Sequence, residues 1–417
     1  MNKIINTLMV ITESASSVSI DDNGLLTAEA KELFMHLFSD VEDFRQSGKI
    51  TYRLSDLLLM TLLVILIDKS DSFLSIAASI RVMEPELSAL GLIHDHKCPS
   101  HDTLRRIFSA LDSSSLQQTT IDRLDEFLKL LEKNISYKGK ELISVDGKQI
   151  NGSGRKKGTK SPHGNIAMLN VYNFSRGVCL ESTAIDEKTN EIPEAQKILA
   201  VMNLKNIIVT ADALHCQRIT CDVIRGKKGH YVLTVKENQG LLLEEIKTRM
   251  SDSRHAKYIH KYTRGKRIIT ILHLPAGYAA DGFTGMKSFV CMHNTRNKDE
   301  EVVRYFISDM NNDELICEAI EDRWEIEDSF HNPKDTWLEE DKIRYYDKKA
   351  LKNIVVMNNL ALLLVRLYSA LIQPDMYMAK HEMHLKPMQC IEKVLAIKNS
   401  SEITKALEES IRQHTKS

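Results

Sequence analysis

The chain lacks several of the signals that assign a sequence to a class at sight. Its seven cysteines, an odd number scattered from Cys98 to Cys390, include no C-x-x-C pair and read as reduced, cytosolic cysteine. No apolar run reaches membrane length: residues 57–67 stop at Asp68-Lys69, short of the roughly 20 residues that cross a bilayer, and predict a buried helix instead. The first residues carry Lys3, but Asn6, Thr7 and Glu13 interrupt any signal-peptide core, so a cytoplasmic protein is expected. Charge of one sign is also missing. With 56 Lys+Arg against 57 Asp+Glu the net charge is -1, so a polyanionic partner must be met by local basic patches.

What is present is an ordinary globular composition, 43% hydrophobic and 27% charged, over 417 residues, enough for two or three packed units. Residues 1–40 read as a variable leader. Residues 41–137 alternate helix-like blocks with turn signals and predict a small helical domain. Within it, Ser100 or Asp102 can cap a helix whose first turns carry Arg105 and Arg106, placed to meet phosphates. From about residue 138 the texture becomes three strands, a helix, a strand, a helix and a strand, the order of a ribonuclease-H-like α/β core. Residues 237–305 then read as a β-rich insertion before the next acid-bearing helix, 312–329. An apolar helix over 351–371 and a polar, Met-containing tail over 373–417 close the chain.

Three acids stand out by position. Asp146 and Asp212 follow β-branched runs, 143–145 and 207–210, and an acid at a strand end faces the crevice where open α/β sheets bind ligands. Glu327 lies on a helix-like stretch one turn after Arg323. Carboxylates that converge from such places suit two magnesium ions, which take oxygen ligands and support in-line phosphoryl transfer. Taken singly, each acid is more simply a turn former, a helix cap or half of a surface ion pair. Two acid-free basic runs supply a nucleic-acid term: residues 148–164, with Lys148, Arg155, Lys156 and Lys157, and residues 254–267, with Arg264 and Lys266. His381-Glu382-Met383-His384 and His215-Cys216 lack a second ligand pair at zinc-finger spacing, so no structural metal is expected there.

Six ordered motifs carry a resemblance. They are Pro99-Ser100-His101-Asp102-Thr103-Leu104-Arg105-Arg106, Val145-Asp146-Gly147-Lys148, Asp186-Glu187-Lys188-Thr189-Asn190-Glu191-Ile192, Thr210-Ala211-Asp212-Ala213-Leu214-His215, Tyr231-Val232-Leu233-Thr234-Val235-Lys236 and Trp324-Glu325-Ile326-Glu327-Asp328. Over residues 43–370 the chain resembles the DDE-class transposases of bacterial insertion sequences, most closely the H-repeat-associated branch. The resemblance implies Asp146, Asp212 and Glu327 as a catalytic and metal-binding triad for Mg2+, with Mn2+ substituting. It further implies that Arg323 and Lys334 contact transposon-end DNA, that the substrate is double-stranded DNA with terminal inverted repeats, and that a homodimer forms on it. The chain departs from the family at Ile320, where a tyrosine is usual, and at Pro333, which is expected to break the helix about one and a half turns after Glu327. A DNA-binding remnant without metal chemistry is the alternative that these departures leave open.

Overall fold

A computed structural model of the chain describes residues 35–68, 71–132, 138–155, 163–185, 191–275, 278, 282–297, 300–323, 326, 330–373 and 375–398. Most of the expected leader, with Glu327, Lys156 and Lys157, lies outside the described residues.

The part before the sheet is helical: α1 (Leu54–Ile67), α2 (Phe73–Val82), α3 (Glu84–Ala89), α4 (His101–Ala110) and α5 (Ser113–Glu132). Helix α1 is apolar on every side, as a helix enclosed by others must be, and its residues from Leu57 to Leu66 are buried. Ser72 starts α2 with a reciprocal capping box to Ser75. Ser100 starts α4 by accepting the Thr103 backbone N–H at 3.2 Å, so of the two candidate caps the serine is used.

The sheet follows: β1 (Glu141–Ile150), β2 (Ile166–Asn173), β3 (Val178–Ile185), helix α6 (Glu191–Val201), β4 (Ile207–Ala211), helix α7 (Arg218–Gly226) and β5 (His230–Val235). Helix α8 (Gly240–Ser251) leads to β6 (Ile259–Arg264), β7 (Arg267–His273), β8 (Ser288–Asn297) and β9 (Glu300–Ser308), then helix α9 (Asp313–Arg323). All nine strands form one mixed sheet in the order β3-β2-β1-β4-β5-β9-β8-β7-β6. β1 runs parallel to β4 and β4 to β5, while the remaining neighbours are antiparallel. The segment expected as an insertion is therefore a four-stranded meander hydrogen-bonded to the sheet through β5 and β9.

Helices cover both faces. Side chains alternate along each strand, so Ile143, Val145, Val209 and Ala211 pack with α6, α7 and α8, whereas Leu142, Ile208 and Val232 pack with α9. Helices α10 (Asn332–Thr336), α11 (Lys348–Leu371), α12 (Met376–Leu385) and α13 (Pro387–Lys398) complete the chain. α11 is long and apolar enough to cross a membrane, but 89% of its apolar window is buried inside the protein, where it joins α1, α4, α5 and β3 into one core. The stretch expected as a polar tail is folded through residue 398, because Ala379, Met383, Cys390, Ile391 and Val394 supply an apolar face that packs on α11 and α1.

Asn353 on α11 is fully buried and donates from one amide nitrogen to the Phe108 and Leu111 carbonyls, at 2.8 and 2.9 Å, at the C-terminal end of α4. Asn353→Ala strands both carbonyls in an apolar interior, and a loss of about 2–3 kcal/mol in urea unfolding is the expected result. An unchanged unfolding midpoint would show that water or a shifted helix satisfies them.

Candidate active site

The parallel register of β1 and β4 ends with Val145 opposite Ala211, so Asp146 and Asp212 emerge side by side just beyond the last pair. Both continue the face of the sheet that carries Leu142 and Ile208. Asp146 was expected at a strand end. In the structure β1 continues to Ile150, because β2 keeps pairing with it after β4 has stopped, and Asp146 sits mid-strand opposite Asn170. Asp212 lies past the end of β4 and accepts the Leu214 backbone N–H at 2.9 Å, capping a short turn over Ala213–His215. The cap and the position beside Asp146 coexist in one residue.

Other groups surround the pair. His331, 4% exposed, holds Nε2 3.0 Å from the Asp146 Oδ2, and its Nδ1 has no hydrogen-bond partner. His215 is buried with both ring nitrogens unpartnered. Burial pushes the His215 pKa down, while Asp212 and Asp146 pull it up. Arg323, the last residue of α9, is the nearby cation: burial lowers its pKa, and Asp146 and Asp212 oppose that shift.

A further acid belongs to this cluster. Glu191, at the start of α6, has a pKa raised first by burial and then by Asp212 and Asp146. It approaches from the face opposite the two aspartates, and Gly147 admits it. A Cβ on Gly147 would lie 1.7 Å from Glu191 Oε1. Glu191 was quoted within a motif but not counted as a site residue, since its neighbours become visible only once α6 is docked. The signal that could have pointed to it is the glycine directly after Asp146, because a glycine inside a strand often marks a close approach. The two aspartates offer oxygen donors alone, the chemistry that a hard divalent cation takes, while burial first, and Asp212 and Asp146 second, hold Glu191 toward its protonated form.

The expected DNA contacts divide into two groups. Arg105 and Arg155, fifty residues apart, line one cleft with His163, Arg344 and Tyr346, and the Arg155 guanidinium lies 4.9 Å from the centre of the Tyr346 ring. Arg106 is exposed on α4, and Arg264 and Lys266 flank the tight β6–β7 turn, where Gly265 takes a φ of 58°. Two lysines are instead turned inward. Lys334 is 0% exposed, 2.8 Å from the buried Glu340 carboxylate and over the Phe330 ring, so in this arrangement its ammonium does not reach a phosphate. Lys148 is paired with Asp335 and Asp341 and is largely enclosed. Pro333 does not end a helix. It occupies the first turn of α10, where its missing N–H has no partner to lose, and the chain stays helical to Thr336.

Residues 137–364 match the family model described as "Transposase DDE domain", and residues 35–122 match the one described as "DDE_Tnp_1-associated". The chain is 28% identical over 350 residues to "Putative transposase YncI" of Escherichia coli O157:H7, covering 79% of this chain and 86% of that one. It is 27% identical over 340 residues to "H repeat-associated putative transposase YhhI" of Escherichia coli K12, covering 76% and 86%. A piggyBac transposase synaptic complex with hairpin DNA aligns over 94% of the chain and 83% of its own, at 11% identity and a TM-score of 0.40. The family match spans more than half of the chain and includes both Asp146 and Asp212: this protein belongs to the DDE-domain transposases, in the branch of the H-repeat-associated proteins.

Proposed function

We propose that the chain cleaves DNA at the ends of a mobile element and transfers the freed strands to target DNA, using a ribonuclease-H-like core in which Asp146 and Asp212 hold divalent metal. The observation that carries this reading is the shared end of the β1–β4 parallel pair, which sets two carboxylates side by side with Glu191 beneath them. Bound Mg2+, or Mn2+ in its place, supplies Lewis-acid activation of an attacking oxygen and stabilises the leaving one, most fully with two ions. Glu327, outside the described residues, is the proposed third member of the set.

The chain's own groups prepare that site. His331 donates to one oxygen of Asp146 and the Leu214 N–H to one oxygen of Asp212, which fixes both carboxylates before any ligand arrives. Arg323 offsets part of the negative charge and is the proposed arginine contact to element-end DNA. Arg105 and Arg155 hold the DNA backbone in the cleft they share, with Arg106, Arg264 and Lys266 exposed for further phosphate contacts. The inward turn of Lys148 and Lys334 assigns them to holding α10 and the 339–342 turn against the site. Joining two element ends calls for two active sites, so the proposed DNA-bound form is a homodimer.

The first test is strand nicking of inverted-repeat DNA with purified protein and Mg2+ or Mn2+. Asp146→Asn is expected to abolish product while retaining salt-sensitive DNA binding. Equal nicking by the variant would sink the assignment, and metal-independent binding without cleavage by the wild type would favour the DNA-binding remnant.

Gly147→Ala separates position from stability. The group it would strike is the flexible tip of Glu191, so the thermal midpoint should move little, whereas nicking should fall at least about tenfold as the carboxylate is displaced. Undiminished nicking would remove Glu191 from the site.

The pKa of Glu191 yields a pH signature. Its folded value is raised, so the folded state binds more protons than the unfolded one between the ordinary and raised values, and stability falls as pH rises through that window. In metal-free protein, Glu191→Gln should flatten this part of the stability profile and raise the thermal midpoint at neutral pH, while weakening Mg2+ binding. A wild-type slope in the variant would contradict the proposed charge crowding.

A further inference from the structure

A second cluster lies at the opposite side of the sheet, five strand spacings or roughly 24 Å from β1. Strand alternation puts His260 and Tyr262 of β6 and His273 of β7 on the face that also carries Ile269 and Ile271, beneath the first residue of α9, Asp313. His260 Nδ1 lies 2.6 Å and the Tyr262 hydroxyl 2.5 Å from Asp313 Oδ2, and His273 Nε2 lies 2.7 Å from Asp313 Oδ1. One ligand atom from each of the two histidines and Asp313 falls within 4.8 Å of the others.

The surrounding hydrogen bonds fix how His273 is used. The Ser288 hydroxyl donates to the Met310 carbonyl at 2.7 Å, so toward His273 Nδ1, 3.0 Å away, it can only accept. Nδ1 therefore carries the proton. In the neutral ring, Nε2 then presents its lone pair to Asp313 Oδ1, a buried oxygen with no hydrogen-bond partner although the nitrogen is only 2.7 Å away. Two states fit this contact: a doubly protonated His273 ion-paired with Asp313, or the neutral ring with a cation held between the two lone pairs. A histidine whose far nitrogen is held by a fixed acceptor is also the arrangement found behind metal-bound imidazoles.

We propose that His260, His273 and Asp313 form a transition-metal site, with Zn2+ as the best-suited ion, that fastens the β6–β7 hairpin to the N-terminus of α9. Two imidazole nitrogens and one carboxylate oxygen, with a fourth position open through half-exposed His260, match tetrahedral zinc and do not suit magnesium, which prefers oxygen throughout. Zinc bonds of about 2.0–2.1 Å set tetrahedral ligand atoms roughly 3.3 Å apart. The two nitrogen–oxygen contacts, 2.6 and 2.7 Å to the two different oxygens of Asp313, need to open by about 0.6–0.7 Å, within the reach of small side-chain rotations. The far end of α9 is Arg323, so the clip would anchor the helix that delivers this arginine to the aspartate pair.

The test uses full-length protein stripped with a chelator, re-equilibrated in excess Mg2+ to occupy hard-cation sites, and titrated with Zn2+ by calorimetry and with Co2+ by visible absorption. The expected result is one Zn2+ per chain, the d–d bands of tetrahedral Co2+, and a thermal midpoint raised by Zn2+. His260→Asn and His273→Gln, chosen to preserve size and polarity, should each lose the cobalt bands and weaken Zn2+ binding at least about tenfold, with circular dichroism unchanged. Ser288→Ala should weaken it by about tenfold through the loss of the oriented Nδ1–H. Asp146→Asn should leave the zinc stoichiometry intact, which keeps this test independent of the proposed cleavage chemistry. Failure of the wild type to bind zinc, or full retention of the cobalt bands in either histidine variant, overturns the proposal.

Discussion

Everything at the candidate active site depends on where the parallel pairing of β1 and β4 stops. Had the shared register run further, Asp212 would be held within the ladder instead of capping the turn that follows it. Because it ends at Val145 and Ala211, two carboxylates project from adjacent strands onto one face, with no intervening side chain to keep them apart. Such crowding is unfavourable in isolation and is offset locally by Arg323 and His331, the same groups that a cation-loaded, DNA-bound site would have to accommodate. The backbone geometry thus commits the protein to an electrostatic problem, which the proposed metal binding would relieve.

The helical part before the sheet is not an appendage to that arrangement. α11 is buried along most of its length and contributes to the same apolar cluster as α1, α4, α5, α12 and α13, together with Ile150, Ile166, Met168 and Val178 of the sheet. The outer strands of the sheet and the helices before and after it therefore share a core. α10, which follows His331, is tied to β1 through Lys148 and Asp335 and to the 340–342 turn through Lys334 and Glu340. These inward lysines give the backbone around His331 a rigid support.

Much of the α/β part was legible because strands and turns announce themselves locally. The order of β1 to β5, a helix cap at Ser100 or Asp102 and the end of β4 before Asp212 follow from patterns a few residues long, whereas the continuation of β1 past Asp146 depends on its pairing with β2. What was not legible required tertiary proximity. The 237–305 segment was legible as β-rich, but not that its strands extend the core sheet, because periodicity says nothing about which edge a strand will join, and β9 docks on β5. The 373–417 segment read as a tail because its methionines and single alanines make a weak apolar stripe that becomes a face only against α11. Lys334 and Lys148 read as surface cations because sequence does not show that Glu340 and Asp335 wait for them. Glu191 and the His260, His273 and Asp313 cluster escaped for the same reason: their members are far apart in the chain.

The nine-stranded continuity of the sheet has a consequence for how such a protein can change. A meander that merely decorated the surface could be shortened or exchanged at little cost. Here β9 satisfies the outward-facing amides and carbonyls of β5, and the burden of an open margin is passed along to β6, whose residues His260, Lys261, Thr263 and Arg264 are polar and solvated. Removal of residues 253–311 would uncover β5, a strand buried from Tyr231 to Val235, as a bare apolar template for other chains. The meander is in that sense the protein's guard against self-association, and its length can drift only if some other strand takes over the duty of closing that margin.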